Sequence, residues 1–435
     1  MGVNEESSLR RALKFVHFLA ASMGTPMASS VFLSIILMAL VARDGTDLLL
    51  SIVLSTVIVS LVALAYGELV SVHPTAAGNR VFLQPLVGNR LAITLSLVWI
   101  AALMGGAGVE AFIFGEVLNF LYPALPVFLY VALGLGLIML VNIVGVEVSG
   151  RFQSVLSFTV ASALVALSVY ALSLSGVGRL TFGPPNALRI FVSSSISVYF
   201  FLGFARVTTL GEEAEDYRRA LPLSMPTGVL LLGLVFGLVS LAFLKVEPLN
   251  VLSNTYVPQI LLGKYLLGER LAVVAALLSL LMSFGAFNAG LLGTSRLIYA
   301  LGREGVLPKV LGSISPRFLT PVRSIITLYF IVLGVAGYIL LTKDFSLTLL
   351  LAAAVDSVLY ALVALSAFKH LRTYRAEDIP FRPRGGAVLF PLVAALFFLF
   401  GGLIFATSSP YLVLATLVLF GLLYFSVMVR LRKPA

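Results

Sequence analysis

The 435-residue chain contains no cysteine, which excludes disulfides, zinc–thiolate sites and iron–sulfur ligation. Its three histidines, His17, His73 and His370, lie far apart in sequence, so a histidine-built metal site is not expected and no cofactor is implied. Charge is scarce as well. Only 11% of the residues are Asp, Glu, Lys or Arg, against about a quarter in an ordinary soluble domain. A disordered chain, a secreted disulfide scaffold and a typical cytosolic enzyme are thereby excluded. No nucleophile–base set suggests covalent catalysis, and no filter-like motif suggests a channel.

In place of charge the chain has apolar runs. The composition is 60% hydrophobic with a mean hydropathy of +1.08. About twelve segments are long enough, at roughly 18 to 25 residues, to cross ~30 Å of hydrocarbon. They fall at 13–42, 47–72, 88–121, 125–147, 151–175, 188–212, 224–245, 267–300, 322–342, 346–372, 386–407 and 410–431. This predicts an all-α integral membrane protein, a single transmembrane unit over 1–435 embedded in a lipid bilayer. With the amino terminus inside, about 21 basic residues fall on the inner side and about 7 on the outer side, which predicts cytoplasmic termini in a cell membrane. The net charge of +10 is then a topology signal rather than a nucleic-acid signal. The opening MGVNEESSLRRALKFVHF lacks an A-x-A-type stop and does not read as a cleavable signal. The outer stretch 246–266 is expected to form a short helix over the mouth.

Two segments cannot be simple helices. The first reads SMGTPMASSVF from Ser22. Pro26 has no N–H to donate and its ring clashes with the preceding turn, while Gly24 lowers the cost of unwinding. The sixth reads VYFFLGFARVTT, with Gly203 in a similar place. Ser29 and Ser30 follow Gly24 at +5 and +6, as Thr208 and Thr209 follow Gly203. Five segments separate the two starts, an odd number, so the halves insert with opposite orientation. Matched breaks in inverted halves point to a transporter binding site. A half-helix start offers free N–H groups to an anion and a half-helix end offers carbonyls to a cation, which together suit a zwitterion. A structural kink is the competing reading.

The same residues resemble the amino acid–polyamine–organocation permeases over most of the chain. GTPMASSVF resembles the family's first-helix signature, and YGELVSVHPTAAGNRVFL from Tyr66 its second-helix and loop signature. NIVGVEVSGRFQ from Asn142, GFARVTTLGEE from Gly203 and SRLIYALGREGVLPKVLG from Ser295 resemble later family segments. The resemblance implies a LeuT-type five-plus-five inverted repeat with broken helices 1 and 6. Residues 13–175 and 188–372 would be the repeats, and 386–431 two additional helices. It implies amino acid uptake or exchange by a permease. It implies a substrate carboxylate at Ser29 and Ser30, an ammonium near Thr25, Pro26 and the stretch Phe200, Leu202, Gly203, and Tyr199 closing over the substrate. The chain departs from the family at Ala28 and Ser30, where glycines are usual.

The remaining polar residues divide between structural roles and transport. Glu68 is expected to pair with Arg80 as a structural anchor or to cap a loop, and Glu212, Glu213, Glu215 and Asp216 with Arg218 and Arg219 to form a solvated loop or inner gate pairs. Arg296 and Arg303 are expected to face the inner surface, and Trp99 to serve packing or the membrane interface. Gly285, Ala286, Ala289 and Gly290 suit tight packing or leave room for a large substrate side chain. Glu110, Arg206 and Asp356 lie deep in segments three, six and ten, where ionisable groups are expensive and usually functional. We expect Glu110 to pair with Arg206 and Asp356 to carry a coupling proton. Some family members place a lysine on helix five, where counting from Gly150–Arg151 reaches Val160. Sodium is disfavoured because Phe284 and Gly285 stand where a hydroxyl pair is expected, although Ser279 and Ser283 lie nearby. The expectation is a proton-linked amino acid transporter; an exchanger, a sodium symporter and a non-transporting receptor or scaffold are the rivals.

Overall fold

The computed structural model describes residues 9–174, 179–245, 252 and 255–430. Fifteen α-helices account for most of them: α1 (Phe15–Gly24), α2 (Val31–Ala42), α3 (Gly45–Val72), α4 (Asn79–Val87), α5 (Asn89–Leu121), α6 (Val127–Val144), α7 (Val146–Ser173), α8 (Ala187–Ser197), α9 (Ala220–Lys245), α10 (Pro258–Leu267), α11 (Glu269–Arg303), α12 (Val322–Thr342), α13 (Ser346–Thr373), α14 (Gly386–Thr407) and α15 (Pro410–Arg430). Among the described residues there is no strand, and one isolated bridge pairs Leu13 with Ala214. Ten helical stretches are long and apolar enough to cross a membrane. The protein is therefore an all-helical, multi-pass membrane protein.

Helix formation follows from the medium: without water, backbone groups must be satisfied within each segment. The ends are set by local chemistry. Asp44 caps α3 by accepting from the Asp47 amide at 3.0 Å, and Asn186 caps α8 by accepting from the Arg189 amide. Arg189 then bridges the two starts, at 2.7 Å from Asp47 and 3.3 Å from Asp44.

The segment expected as one run over 13–42 is two helices, each too short to span alone, because residues 25–30 leave the helical path. The segment expected over 188–212 is α8 followed by 3-10 turns at Val198–Phe201 and Phe204–Glu213. The stretch 246–266 is helical from Pro258 onward. Residues 246–251 and 253–254 lie outside the described residues, as do Arg432 and Lys433.

Candidate functional site

The two interruptions meet. In the first, Met27 N–H still reaches the Met23 carbonyl at 3.1 Å and Ala28 N–H the Thr25 carbonyl at 3.2 Å before α2 begins. Thr25 and Pro26 are buried, and the Thr25 hydroxyl has no hydrogen-bond partner. In the second, the chain extends at Leu202 and turns left-handed at Gly203, with φ +93°. A methyl group built on Gly203 would overlap the Thr25 side chain. Glycine is thus required twice over, for its backbone angle and for close approach. Gly203→Ala should cost about 1–2 kcal/mol for the left-handed backbone alone, plus the displacement of Thr25. A melting temperature equal to wild type would contradict this tight fit.

Glu110, on α5, fills the start of α2. Its Oε1 accepts from Ser29 N–H at 2.9 Å, Ser29 Oγ at 2.7 Å and Ser283 Oγ at 2.5 Å. Its Oε2 accepts from Ser30 N–H at 2.9 Å. The side chain is buried, at 3% exposure. A half-helix start with free N–H groups attracts an anion, and here the chain supplies that anion itself. The expected Glu110–Arg206 pair is therefore corrected. The amides of Ser29 and Ser30, expected to face a substrate carboxylate, hold a carboxylate of the protein. The serine pair weighed for sodium is also engaged: Ser283 on Glu110, and Ser279 with Gln259 at 3.0 Å.

Asp356, on α13, is 3% exposed and accepts from the Trp99 indole at 2.8 Å. Trp99 is thus a polar anchor as well as a packing residue. Tyr199 is half-buried, and its hydroxyl meets Ser357 Oγ at 2.9 Å, beside Asp356. Phe200 is buried against Phe236, and Leu202 is half-buried. Thr208 and Thr209 spend their hydroxyls on the carbonyls of Ala205 and of Arg206 and Gly293, so the sequence match with Ser29 and Ser30 has no counterpart in hydrogen bonding.

Arg206 leaves the second interruption and runs along α11. A methyl group at Gly290 would lie 2.7 Å from its Nη1, and one at Gly293 would lie 3.0 Å from its Cβ. The guanidinium lies against Gly290, so the space left by the missing side chain is shared between Arg206 and a cavity that Gly290 also lines. Arg206 also lines this small, partly open cavity between α5, α6, α11 and α12.

The 3-10 segment after Gly203 is fastened to α11 by two ion pairs. Arg296 donates to both oxygens of Glu213 at 3.0 Å, and both side chains are fully buried. Arg303 pairs with Glu212 at 2.7 Å, and Glu212 also accepts from the Ala76 amide. The expectation of a solvated loop fails for Glu213, and Arg296 does not face a surface. Glu68 pairs with His370 at 2.8 Å rather than with Arg80, which instead meets Glu304 at 3.0 Å. Nothing local in the sequence marks these partners, which lie more than 80 positions apart.

Comparison with known proteins gives a consistent result. Residues 13–429 match the family model described as amino acid permease. A 288-residue stretch, 61% of this chain, is 23% identical to a low-affinity putrescine importer of Escherichia coli, covering 61% of that protein. A stretch of the same length is 25% identical to the human cystine/glutamate transporter, covering 56% of it. A 363-residue stretch, 78% of this chain, is 27% identical to the mouse large neutral amino acids transporter small subunit 2, covering 65% of it. The chain thus spans less than two thirds of the length of these relatives.

Proposed function

Because the chain belongs to the amino acid permease family, we propose that it is a secondary transporter of amino acids working by alternating access. It carries no enzymatic role: the family and the relatives are transporters. In this reading α1 with α2, and α8 with the turns after it, are the broken helices 1 and 6 of a LeuT-type five-plus-five repeat. Residues 13–175 and 188–372 form the repeats, and α14 and α15 are the additional helices. Counting α1 with α2 as one crossing and α15 as another gives twelve. The charge asymmetry of the sequence puts both termini in the cytoplasm, and the cell membrane is the proposed location.

The observation that carries the proposal is the contact between the interruptions at Thr25 and Gly203. Irregular backbone at membrane depth is tolerated where it is buried in protein or lines a cavity. Two such stretches from distant parts of the chain, packed on each other, fit a substrate site at a repeat interface. The substrate's amino group would meet carbonyls near Thr25, Pro26 and Phe200–Gly203.

Solute counterflow into proteoliposomes tests the reading. Vesicles preloaded with unlabelled amino acid should accumulate the labelled one. A receptor or scaffold would give no flux. An imposed inward proton gradient should drive accumulation through Asp356, whose buried carboxyl would take a proton on one side and release it on the other. Asp356→Asn should keep exchange while gradient-driven accumulation falls to background. Accumulation by Asp356→Asn at the wild-type level would rule out that carboxyl as carrier. Sodium is not favoured as the driving ion, since Phe284 and Gly285 stand where a hydroxyl pair would be expected to hold it.

A further inference from the structure

The half-helix start that would take a substrate carboxylate is filled, and a cation elsewhere in the bundle is empty-handed. Both oxygens of Glu110 are used on the Ser29 and Ser30 side of the interruption. A second carboxylate arriving there would face a like charge with the amide donors already engaged. Arg206 is in the opposite condition. Its Nε is buried without a hydrogen-bond partner. Among the described residues it enters no ion pair. Asp356 is its acidic neighbour, but one oxygen of that carboxylate is held by Trp99. An unpaired guanidinium at membrane depth is costly, and such groups mark substrate pathways.

The surroundings define what could satisfy it. Nε lies beside Gly203, where a methyl group would come within 3.4 Å, and Nη1 lies beside Gly290. The guanidinium therefore sits next to the second interruption. The cavity beyond it is walled by apolar side chains, among them Leu103, Met104, Ile138, Phe287 and Val332, with Thr294 the small polar exception among its α11 residues. One fixed cation at the edge of an apolar cavity suits a carboxylate attached to a bulky apolar group. A planar guanidinium can hold a carboxylate with two parallel hydrogen bonds.

We propose that Arg206, rather than the start of α2, receives the substrate carboxylate, and that the adjoining cavity selects amino acids with large apolar or aromatic side chains. This rests on the transport reading above and gives it a substrate class. Glu110 then acts as a built-in carboxylate that holds the first interruption open without a ligand.

Binding can be measured by calorimetry on detergent-purified protein with phenylalanine, glycine, phenylalanine methyl ester and phenethylamine. Wild-type protein should bind phenylalanine at least tenfold more tightly than the other three. Arg206→Gln should lose at least tenfold for phenylalanine while its affinity for phenethylamine stays unchanged, and Arg206→Lys should recover part of the loss. Unchanged phenylalanine affinity in Arg206→Gln would overturn the assignment. So would wild-type protein that binds the ester or the amine as tightly as the acid, a comparison that needs no variant to fold. Either result alongside intact amino acid counterflow would leave the transport reading standing. Absence of any counterflow by the wild type would overturn that reading itself.

Discussion

Glu110→Gln is expected to reduce transport below a tenth of the wild-type rate and to lower the melting temperature. The carboxylate accepts four hydrogen bonds, from two backbone amides and two serine hydroxyls. Glutamine keeps the shape but replaces one acceptor oxygen with an NH2 donor. Whichever way the amide turns, a donor then faces a donor: Ser30 N–H on one side, or Ser29 N–H on the other. A buried donor left unsatisfied costs about 1–3 kcal/mol, more when the lost acceptor was charged. The loss falls on the first turn of α2, so the geometry of residues 25–30 should change with it. Thermal unfolding and proteoliposome uptake check both parts. Wild-type values in both would mean that the carboxylate does not hold the interruption.

Arg296→Met is expected to produce the largest loss of stability, about 3–5 kcal/mol, because it strands the Glu213 carboxylate in a fully buried position. Glu213→Gln alone should also destabilise, since a buried guanidinium then loses its charged partner. The double variant Arg296→Met with Glu213→Gln should recover a substantial part of the loss, because an apolar and neutral pair carries no uncompensated charge. Thermal or denaturant unfolding of the three proteins checks this, and equal losses in the double and the single variants would contradict it. The pair fastens the 3-10 segment after Gly203 to α11. Uptake should therefore fall even in a double variant that folds well.

What the sequence made legible follows from what the bilayer dictates. Helix lengths were readable because hydrocarbon thickness sets them, and the long apolar helices from α3 to α14 lie close to the runs expected for them. The positions where two segments leave the helical path were readable because Pro26 and Gly203 act locally, through a missing N–H and a left-handed backbone angle. Partnerships were not readable. Glu110 lies 81 positions from Ser29 and 173 from Ser283, and nothing local marks that α5 passes the start of α2. The same holds for Trp99 and Asp356, 257 positions apart.

Charged residues misled most where the sequence suggested a loop. Glu213 follows Glu212 and precedes further acids, a pattern that reads as solvated. Yet Glu213 is fully buried while Glu212 keeps partial exposure. Adjacent residues on a 3-10 turn point in directions about 120° apart, so one carboxylate can turn into the bundle and the next away from it. Gly290 was legible in part: its missing side chain marks a space, which Arg206 shares with the adjoining cavity.

Alternating access requires that the two interruptions hold the substrate at a place reached in turn from each side of the membrane. The absence of native cysteine makes this directly measurable. A single cysteine at Ala28 or Leu202, both half-buried at the interruptions, can be probed in oriented proteoliposomes with a membrane-impermeant thiol reagent. Labelling is expected from either side, slowed at least tenfold from both sides by a saturating transported amino acid. Labelling from one side alone, at a rate that the same amino acid leaves unchanged, would contradict it.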